Sequence, residues 1–185
     1  MEFLSVLDGN ILLWIQENLR SDLLTPVFCF ITSLGNGGIF WIICTVLLVL
    51  YPKTRKIGFM CACALIFSHI ANNEILKNII CRPRPFAQIP ELTVLIDKPS
   101  SYSFPSGHTA SSFACAWPMF RKLPKKFGIP AIILAALIGF SRLYIGVHYP
   151  GDVLCGMLFG IGMSSLAIIF VEKTAEMIRY KKEKQ

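Results

Sequence analysis

Long apolar runs constrain this chain more than any other feature. Three of them, residues 57–80, 128–147 and 153–171, are long enough to cross a hydrocarbon core of about 30 Å, which needs roughly 20 helical residues. A hydrophobic content of 54% with only 16% charged residues is too apolar for an ordinary soluble domain. We therefore expect an all-α integral membrane protein that forms one domain.

Shorter segments extend the predicted bundle to six transmembrane helices. Residues 22–34 and 37–51 are typical of a tight hairpin around a glycine-rich turn, and residues 106–120 are rich in small side chains. Residues 3–19 place apolar side chains at helical spacing, which predicts an interfacial amphipathic helix; a cleavable signal peptide is not expected, because the first residues are acidic. The expected layout is an interfacial helix over 1–20, a six-helix transmembrane domain over 21–173 and a basic cytoplasmic tail over 174–185.

The basic residues predict the orientation in the membrane. If six helices alternate, thirteen of the 18 lysines and arginines fall on one side, which the positive-inside rule assigns to the cytoplasm together with both termini. They are Arg20, Lys53, Arg55, Lys56, Arg121, Lys122, Lys125, Lys126, Lys173, Arg179, Lys181, Lys182 and Lys184. Topology and anionic membrane lipids thus account for the net charge of +7, and no basic face interleaved with aromatic residues points to nucleic acid.

The other five basic residues fall on the opposite, extracytoplasmic side. They are Lys77, Arg82, Arg84, Lys98 and Arg142. Four of the five lie in polar stretches at predicted helix ends, where a cation is costly without an anionic partner. We therefore expect an anion to bind where these stretches meet.

The first polar stretch ends the third predicted transmembrane helix. Glu74 and Lys77 are three residues apart, so they could form an ion pair, and His69, about two turns deeper, is expected in the core or at a helix contact. A proline follows each of Arg82 and Arg84, which predicts that extended backbone holds both arginines. Lys77 and Arg84 are then able to reach the same site.

The second polar stretch opens the fourth predicted transmembrane helix. Ser106 is expected to cap this helix by accepting from its free backbone N–H groups. The small, open backbone at Gly107 and the positive end of the helix dipole also suit a phosphate. His108 would lie in the first turn, beside whatever binds there.

The third polar stretch connects the fifth and sixth predicted helices. Ser141 lies beneath His148 on nearly the same helix face, and Arg142 is deeper but long enough to reach the surroundings of His148. The chain breaks at Pro150, which lets Asp152 fold back towards His148. Arg142 in particular calls for an anionic partner.

The three stretches together resemble the signature of the type 2 phosphatidic acid phosphatase (PAP2) superfamily. That signature is a lysine, six residues and Arg-Pro; then Pro-Ser-Gly-His; then Ser-Arg, five residues, a histidine, three residues and an aspartate. Every position is matched in order, by Lys77, Arg84 and Pro85, by Pro105, Ser106, Gly107 and His108, and by Ser141, Arg142, His148 and Asp152. The resemblance implies a six-helix membrane phosphatase that uses no metal and no cofactor.

The resemblance also implies a role for each matched residue. His148 would attack phosphorus and become a phosphohistidine, Asp152 would orient His148, and His108 would give a proton to the departing oxygen. The phosphate oxygens would be held by Lys77, Arg84, Ser106, Gly107 and Arg142. Glu74 and Arg82 are candidates for supporting roles.

Two other functions fit part of the pattern. A metal-dependent hydrolase would use His108, His148 and Asp152 as zinc ligands, although three nearby cations would repel the metal. A protein that binds or transports a phosphate lipid without cleaving it would leave the same three residues without roles.

A lipid phosphate on the outer leaflet is the expected substrate, and no obligate protein partner is expected. The compact form most resembles undecaprenyl-diphosphate phosphatases, which would release undecaprenyl phosphate and phosphate. Phosphatidylglycerophosphate and phosphatidate phosphatases share the same signature.

Overall fold

The computed structural model describes residues 2–184, with side chains from residue 6 onward, and all regular elements in this part of the chain are helical. The α-helices are α1 (Glu2–Asn18), α2 (Leu24–Leu34), α3 (Ile39–Leu50), α4 (Arg55–His69), α5 (Lys77–Ile80), α6 (Gly107–Lys122), α7 (Lys125–Tyr144) and α8 (Pro150–Glu183). A π-helical segment, Ile70–Leu76, joins α4 to α5 without a break. The expected all-α class is confirmed.

Helix α6 lies at the centre of the bundle and packs against α4, α7 and α8. Small residues allow this close packing: a Cβ atom added to Gly160 of α8 would overlap the carbonyl oxygen of Ala110. On the other side, Trp41 of α3 is fully buried and donates from Nε1 to the Ser112 hydroxyl at 2.9 Å. These contacts fix the beginning of α6 beside the beginning of α8, where two of the polar stretches lie.

Three helical segments are long and apolar enough to cross a membrane: residues 55–87, α7 and α8. The pair α2 and α3 makes a fourth if the two count as one broken span. Each of these two helices is too short to cross alone, since a helix rises 1.5 Å per residue. The predicted count of six transmembrane helices is therefore not confirmed.

The predicted hairpin of α2 and α3 is wrong. The two helices are bent by 48° through Asn36–Gly38 and do not reverse direction. At one end of this bent element the Thr25 hydroxyl contacts the Tyr144 hydroxyl, and at the other end the Leu48 carbonyl accepts from Thr54 at the start of the next helix. In the described residues the chain thus passes five times between the two ends of the bundle.

Helix α1 forms as predicted, but it lies across the end of the bundle where α7 ends and α8 begins. Leu12 is fully buried against Tyr149 and Leu92, and Arg20 donates from Nε to the Tyr144 carbonyl at 2.9 Å. Arg20 therefore does not lie with the other twelve basic residues that the charge pattern grouped with it. Those twelve lie at the far end, around the connections from α3 to α4 and from α6 to α7 and along the last turns of α8.

The described residues of the expected basic tail over 174–185 continue helix α8. Helix α8 continues to Glu183, because residues 163–183 contain no glycine or proline and are rich in strong helix formers. Its last turns are exposed.

Candidate active site

A cavity of about 1350 Å³ opens at the end of the bundle that carries α1. Its lining comes from the bend between α2 and α3, the π-helical segment, the beginning of α6, the end of α7 and the loops. Among the predicted site residues, the cavity wall includes Glu74, Lys77, Arg84, Gly107, His108, Arg142 and His148. Asp152, Ser106 and Arg82 are not in this wall but lie behind it.

His148 and Asp152 meet as the third stretch predicts. Asp152 Oδ2 is 3.4 Å from His148 Nδ1, and both side chains are almost fully buried. The same carboxylate oxygen accepts from the Tyr149 backbone N–H at 2.9 Å and from the Ser103 hydroxyl. Three donors therefore converge on Oδ2, which fixes the carboxylate beside the imidazole ring.

Arg84 determines the tautomer of His148. Its Nη1 lies 3.3 Å from His148 Nε2, and Nη1 also donates to the Val147 carbonyl at 2.9 Å. A guanidinium only donates, so Nε2 accepts and the ring proton lies on Nδ1, towards Asp152. Nε2 is thus the unprotonated ring nitrogen, and its electron pair becomes available to a ligand once Arg84 Nη1 turns to that ligand instead.

Burial controls the charges in the loops beside the cavity. It lowers the pKa of His148 to about 3, because it disfavours the imidazolium more than Asp152 favours it, with added repulsion from Arg142 and Arg84. Burial also lowers the pKa of Arg84 to about 10. Near neutral pH, His148 is therefore uncharged and Arg84 remains a cation.

Arg142 is a buried cation with unfilled hydrogen-bonding capacity. It is 2% exposed, and its Nη1 donates to the Thr32 hydroxyl at 2.7 Å. Its Nε has no hydrogen-bond partner among the residues that the structure describes. A buried donor of this kind points to an anionic ligand in the cavity.

The π-helical segment brings Lys77 next to the beginning of α6. A Cβ atom added to Gly107 would lie 3.0 Å from Asn73 Oδ1 and 3.7 Å from Lys77 Nζ. Only a residue without a side chain leaves this approach open, so Gly107 keeps its backbone accessible to Lys77 and to the cavity. Segments of π-helix are rare and occur frequently at functional sites.

Ser106 caps α6 as predicted. Its hydroxyl accepts from the Thr109 backbone N–H at 3.4 Å and from the Thr109 hydroxyl at 2.9 Å. His108, in the first turn, lies 2.9 Å from Asn36 Oδ1 through its Nε2. The bend between α2 and α3 thus orients the second histidine of the cavity.

Two side chains of the first stretch face each other along the π-helical segment. Glu74 Oε1 lies 3.7 Å from His69 Nε2, and the ion pair with Lys77 that the spacing allowed is not found among the described residues. Of the two positions expected for His69, the core is excluded, since 64% of its side chain is exposed. Both residues lie on the cavity wall.

The candidate zinc ligands do not form a recognisable metal centre. Within residues 2–184, no three His, Cys, Asp or Glu side chains are grouped so that they could hold a metal ion. The expected absence of a metal remains a prediction about the reaction.

Several polar residues at the site escaped the sequence reasoning. They are Asp8, Thr32, Asn36, Ser101 and Ser103, which contact predicted site residues. Ser103 lies two residues before the Pro-Ser-Gly-His motif, and this proximity is a signal that could have identified it. Asp8, Thr32 and Asn36 reach the site only through the tertiary fold, so no local pattern marks them.

Comparisons with known proteins agree with this arrangement. The sequence profile of the PAP2 superfamily matches residues 55–176. An undecaprenyl-diphosphatase from Sulfolobus acidocaldarius is 34% identical over 145 residues, which cover 78% of this chain and 69% of that protein.

Two solved structures are similar to the whole bundle. The crystal structure of Aquifex aeolicus LpxE matches with a TM-score of 0.76 at 26% identity and covers 86% of this chain and 93% of its own. The PAP2-type phosphatidylglycerolphosphate phosphatase from Bacillus subtilis matches with a TM-score of 0.74 at 28% identity, over 96% of this chain and 89% of its own.

The helical bundle, the cavity with its histidines and cations, and the profile match together define a multi-pass membrane phosphatase. The chain belongs to the PAP2 superfamily, and it is a lipid phosphatase.

Proposed function

We propose that this protein hydrolyses a phosphate or diphosphate ester of a lipid on the outer membrane face, through a phosphohistidine at His148. The favoured reaction is that of undecaprenyl diphosphate with water, which gives undecaprenyl phosphate and phosphate.

The proposed reaction has two steps. First, His148 Nε2 forms a bond to the terminal phosphorus, the bond from phosphorus to the bridging oxygen breaks, and His108 protonates that oxygen. Then water attacks the phosphohistidine with His108 as the base, which releases phosphate and restores His148. Asp152 stabilises the cationic ring in both steps.

One observation carries the proposal: three cations line the same cavity as His148, whose Nε2 is unprotonated. Lys77, Arg84 and Arg142 form no ion pair with a carboxylate among the described side chains, and Arg142 Nε lacks any partner there. Fixed cations around a phosphoryl group stabilise the charge that develops on its equatorial oxygens. Gly107 completes this pocket at the helix N-terminus, and Ser106 caps the same helix from behind the cavity wall.

The part of the cavity between α3 and α4 supports a lipid substrate. Its wall continues between α3 and α4 along Ile42, Val46 and Ile66, each about half exposed on the outside of the bundle. An apolar chain in the bilayer would contact these side chains while its phosphate reaches the cations. The relative named undecaprenyl-diphosphatase favours a diphosphate, and the structural neighbour favours phosphatidylglycerophosphate as the alternative.

The proposed orientation places the cavity outside the cytoplasm. Twelve basic residues cluster at the opposite end of the bundle, and the positive-inside rule assigns that end to the cytoplasm. Because α1 packs at the cavity's end, this orientation puts α1 on the outer interface, whereas alternation of six helices would have put it inside.

The test compares hydrolysis of undecaprenyl diphosphate, phosphatidylglycerophosphate and phosphatidate by the purified protein in detergent. His148→Ala should lose several powers of ten in rate because the nucleophile is gone. His69→Ala is the matched control, since His69 lies on the same wall without contact to the phosphate cations, and its rate should stay within a few-fold of the parent. A His148→Ala variant with the parental rate would refute the proposal.

Treatment with a chelator distinguishes a metal-dependent hydrolase from the proposed phosphohistidine mechanism. The rate should be unchanged by EDTA. Strong inhibition that zinc reverses would contradict the histidine nucleophile.

A further inference from the structure

The two oxygens of the Asp152 carboxylate have different partners. Oδ2 faces His148 and accepts from Ser103 and from the Tyr149 backbone. Oδ1 accepts from Arg82 Nη1 at 2.7 Å. Arg82 therefore determines where one half of this fully buried carboxylate lies.

Arg82 is itself held between two carboxylates. Its Nη2 donates to Asp8 Oδ2 at 2.8 Å, and its guanidinium lies over the Tyr149 ring, 4.0 Å from the centroid. The other oxygen of Asp8 accepts from the Gly151 backbone N–H at 3.1 Å, in the first turn of α8. Asp8 is 15% exposed and Arg82 is 23% exposed, so water competes only weakly with these contacts. Helix α1 thus reaches the residue next to Asp152.

We propose that Asp8 is a positioning residue for the phosphatase reaction, acting on His148 through Arg82 and Asp152. This inference rests on the proposed function, in which Asp152 orients His148 and stabilises its cationic form.

Charge balance is the first physical reason. When His148 Nε2 bonds to phosphorus, the ring becomes cationic and draws on the negative charge of Asp152. If Arg82 were paired with Asp152 alone, the positive charge of its guanidinium would offset the negative charge of Asp152. A second carboxylate on the far side of Arg82 offsets the guanidinium instead, so that Asp152 keeps its charge for the ring.

Geometry is the second reason. The guanidinium is a rigid planar fork, and here its two terminal nitrogens are used on two different carboxylates. Asp8 and the Tyr149 ring fix the plane of this fork, and the fork fixes Oδ1 of Asp152. A change at Asp8 is therefore transmitted to the oxygen that faces His148.

The experiment compares Asp8→Asn with Gln16→Ala in the full-length protein in detergent micelles. Gln16 anchors the same helix two turns further on, since it accepts from the Thr93 backbone N–H at 2.8 Å and donates to the Glu91 carbonyl at 3.0 Å. Gln16→Ala thus loosens the docking of α1 but does not touch Arg82. Thermal unfolding of both variants reports how much each one loosens the helix.

Asp8→Asn should lower kcat by about ten- to a hundredfold with little change in KM, because a misplaced orienting group slows chemistry and not binding. Asp8→Glu should recover part of the loss, and Gln16→Ala should keep a kcat close to the parental value. Arg82→Lys should repeat the Asp8→Asn defect, since a lysine keeps the charge but cannot bridge two carboxylates.

Each contrary result has a clear meaning. An unchanged kcat for Asp8→Asn, or an equal loss in Gln16→Ala, would overturn the inference and leave the proposed function intact. A parental protein that hydrolyses none of the lipid phosphates would refute the proposed function, and the inference with it. If Asp8→Asn fails to fold, a parental kcat for Arg82→Lys overturns the inference in its place.

Discussion

Replacing Arg142 with methionine should stabilise the fold while it destroys the activity. The guanidinium is 2% exposed and its Nε is unpartnered among the described residues, and a buried unsatisfied donor costs about 1–3 kcal/mol. Lys77 and Arg84 add repulsion, since both line the same cavity. Methionine keeps an unbranched stem of adaptable shape without the charge. We expect a gain of about 1–3 kcal/mol, and each kcal/mol raises the unfolding midpoint by about 2–4 °C in a chain of this size.

The assay is thermal unfolding in detergent, with and without inorganic phosphate. A ligand that binds only the folded parent stabilises it by about 2.7 kcal/mol at a hundred times its dissociation constant. Arg142→Met should lose most of this phosphate effect. Lys98→Met is the matched control, because Lys98 is an exposed cation at the cavity's rim, and it should change stability by less than about 0.5 kcal/mol.

A lower unfolding midpoint for Arg142→Met, together with an undiminished stabilisation by phosphate, would contradict both parts of this prediction. Arg142 would then be a structural residue, held by Thr32, and not a phosphate ligand.

Three further predictions follow from the geometry. Gly35→Ala should lower kcat by about a hundredfold, because its Cβ would lie 2.6 Å from His108 Cδ2 and displace the ring; Gly162→Ala, with open space around its Cβ, should not. Lowering the pH from 8 to 5 should reduce the free energy of unfolding by about 2 kcal/mol through His148. The reason is that the pKa of this histidine is about 6.5 in the unfolded chain but about 3 in the folded protein, so between these values only the unfolded chain takes up the proton. His148→Asn should remove that part of the fall in the unfolding midpoint, and an equal fall in both proteins would contradict it. Finally, the exposed Cys81 should react with a membrane-impermeant maleimide added outside intact cells; labelling of Cys81 only after the membrane is opened would reverse the proposed orientation.

The parts of the site that lie within one short stretch were predictable. His148 and Asp152 are four residues apart across a helix break, and a break of that kind lets the two side chains meet whatever the rest of the chain does. Ser106 likewise caps α6 because helix initiation is a local event. By contrast, the pairing of Glu74 with Lys77 that the spacing allowed does not form among the described residues, because an i, i+3 rule assumes an α-helix and this segment is π-helical.

The path of the first membrane element was not predictable from its residues. A run such as Gly35-Asn36-Gly37-Gly38 suits a tight reversal as well as a bend, since its backbone adopts either conformation at little cost. Packing decided between them: the Thr32 hydroxyl, before the bend, accepts from Arg142, and Asn36, within the bend, contacts His108.

By itself, the sequence determined the membrane class, the helix break at Pro150 and the cations that line the cavity, because apolar length, prolines and charges are read over a few residues. Only the tertiary structure decided that α1 lies over the site, that α2 and α3 form one bent element, and that Arg82 joins Asp8 to Asp152. Asp8 and Arg82 are 74 residues apart, and a contact at that separation depends on the packing of the helices between them.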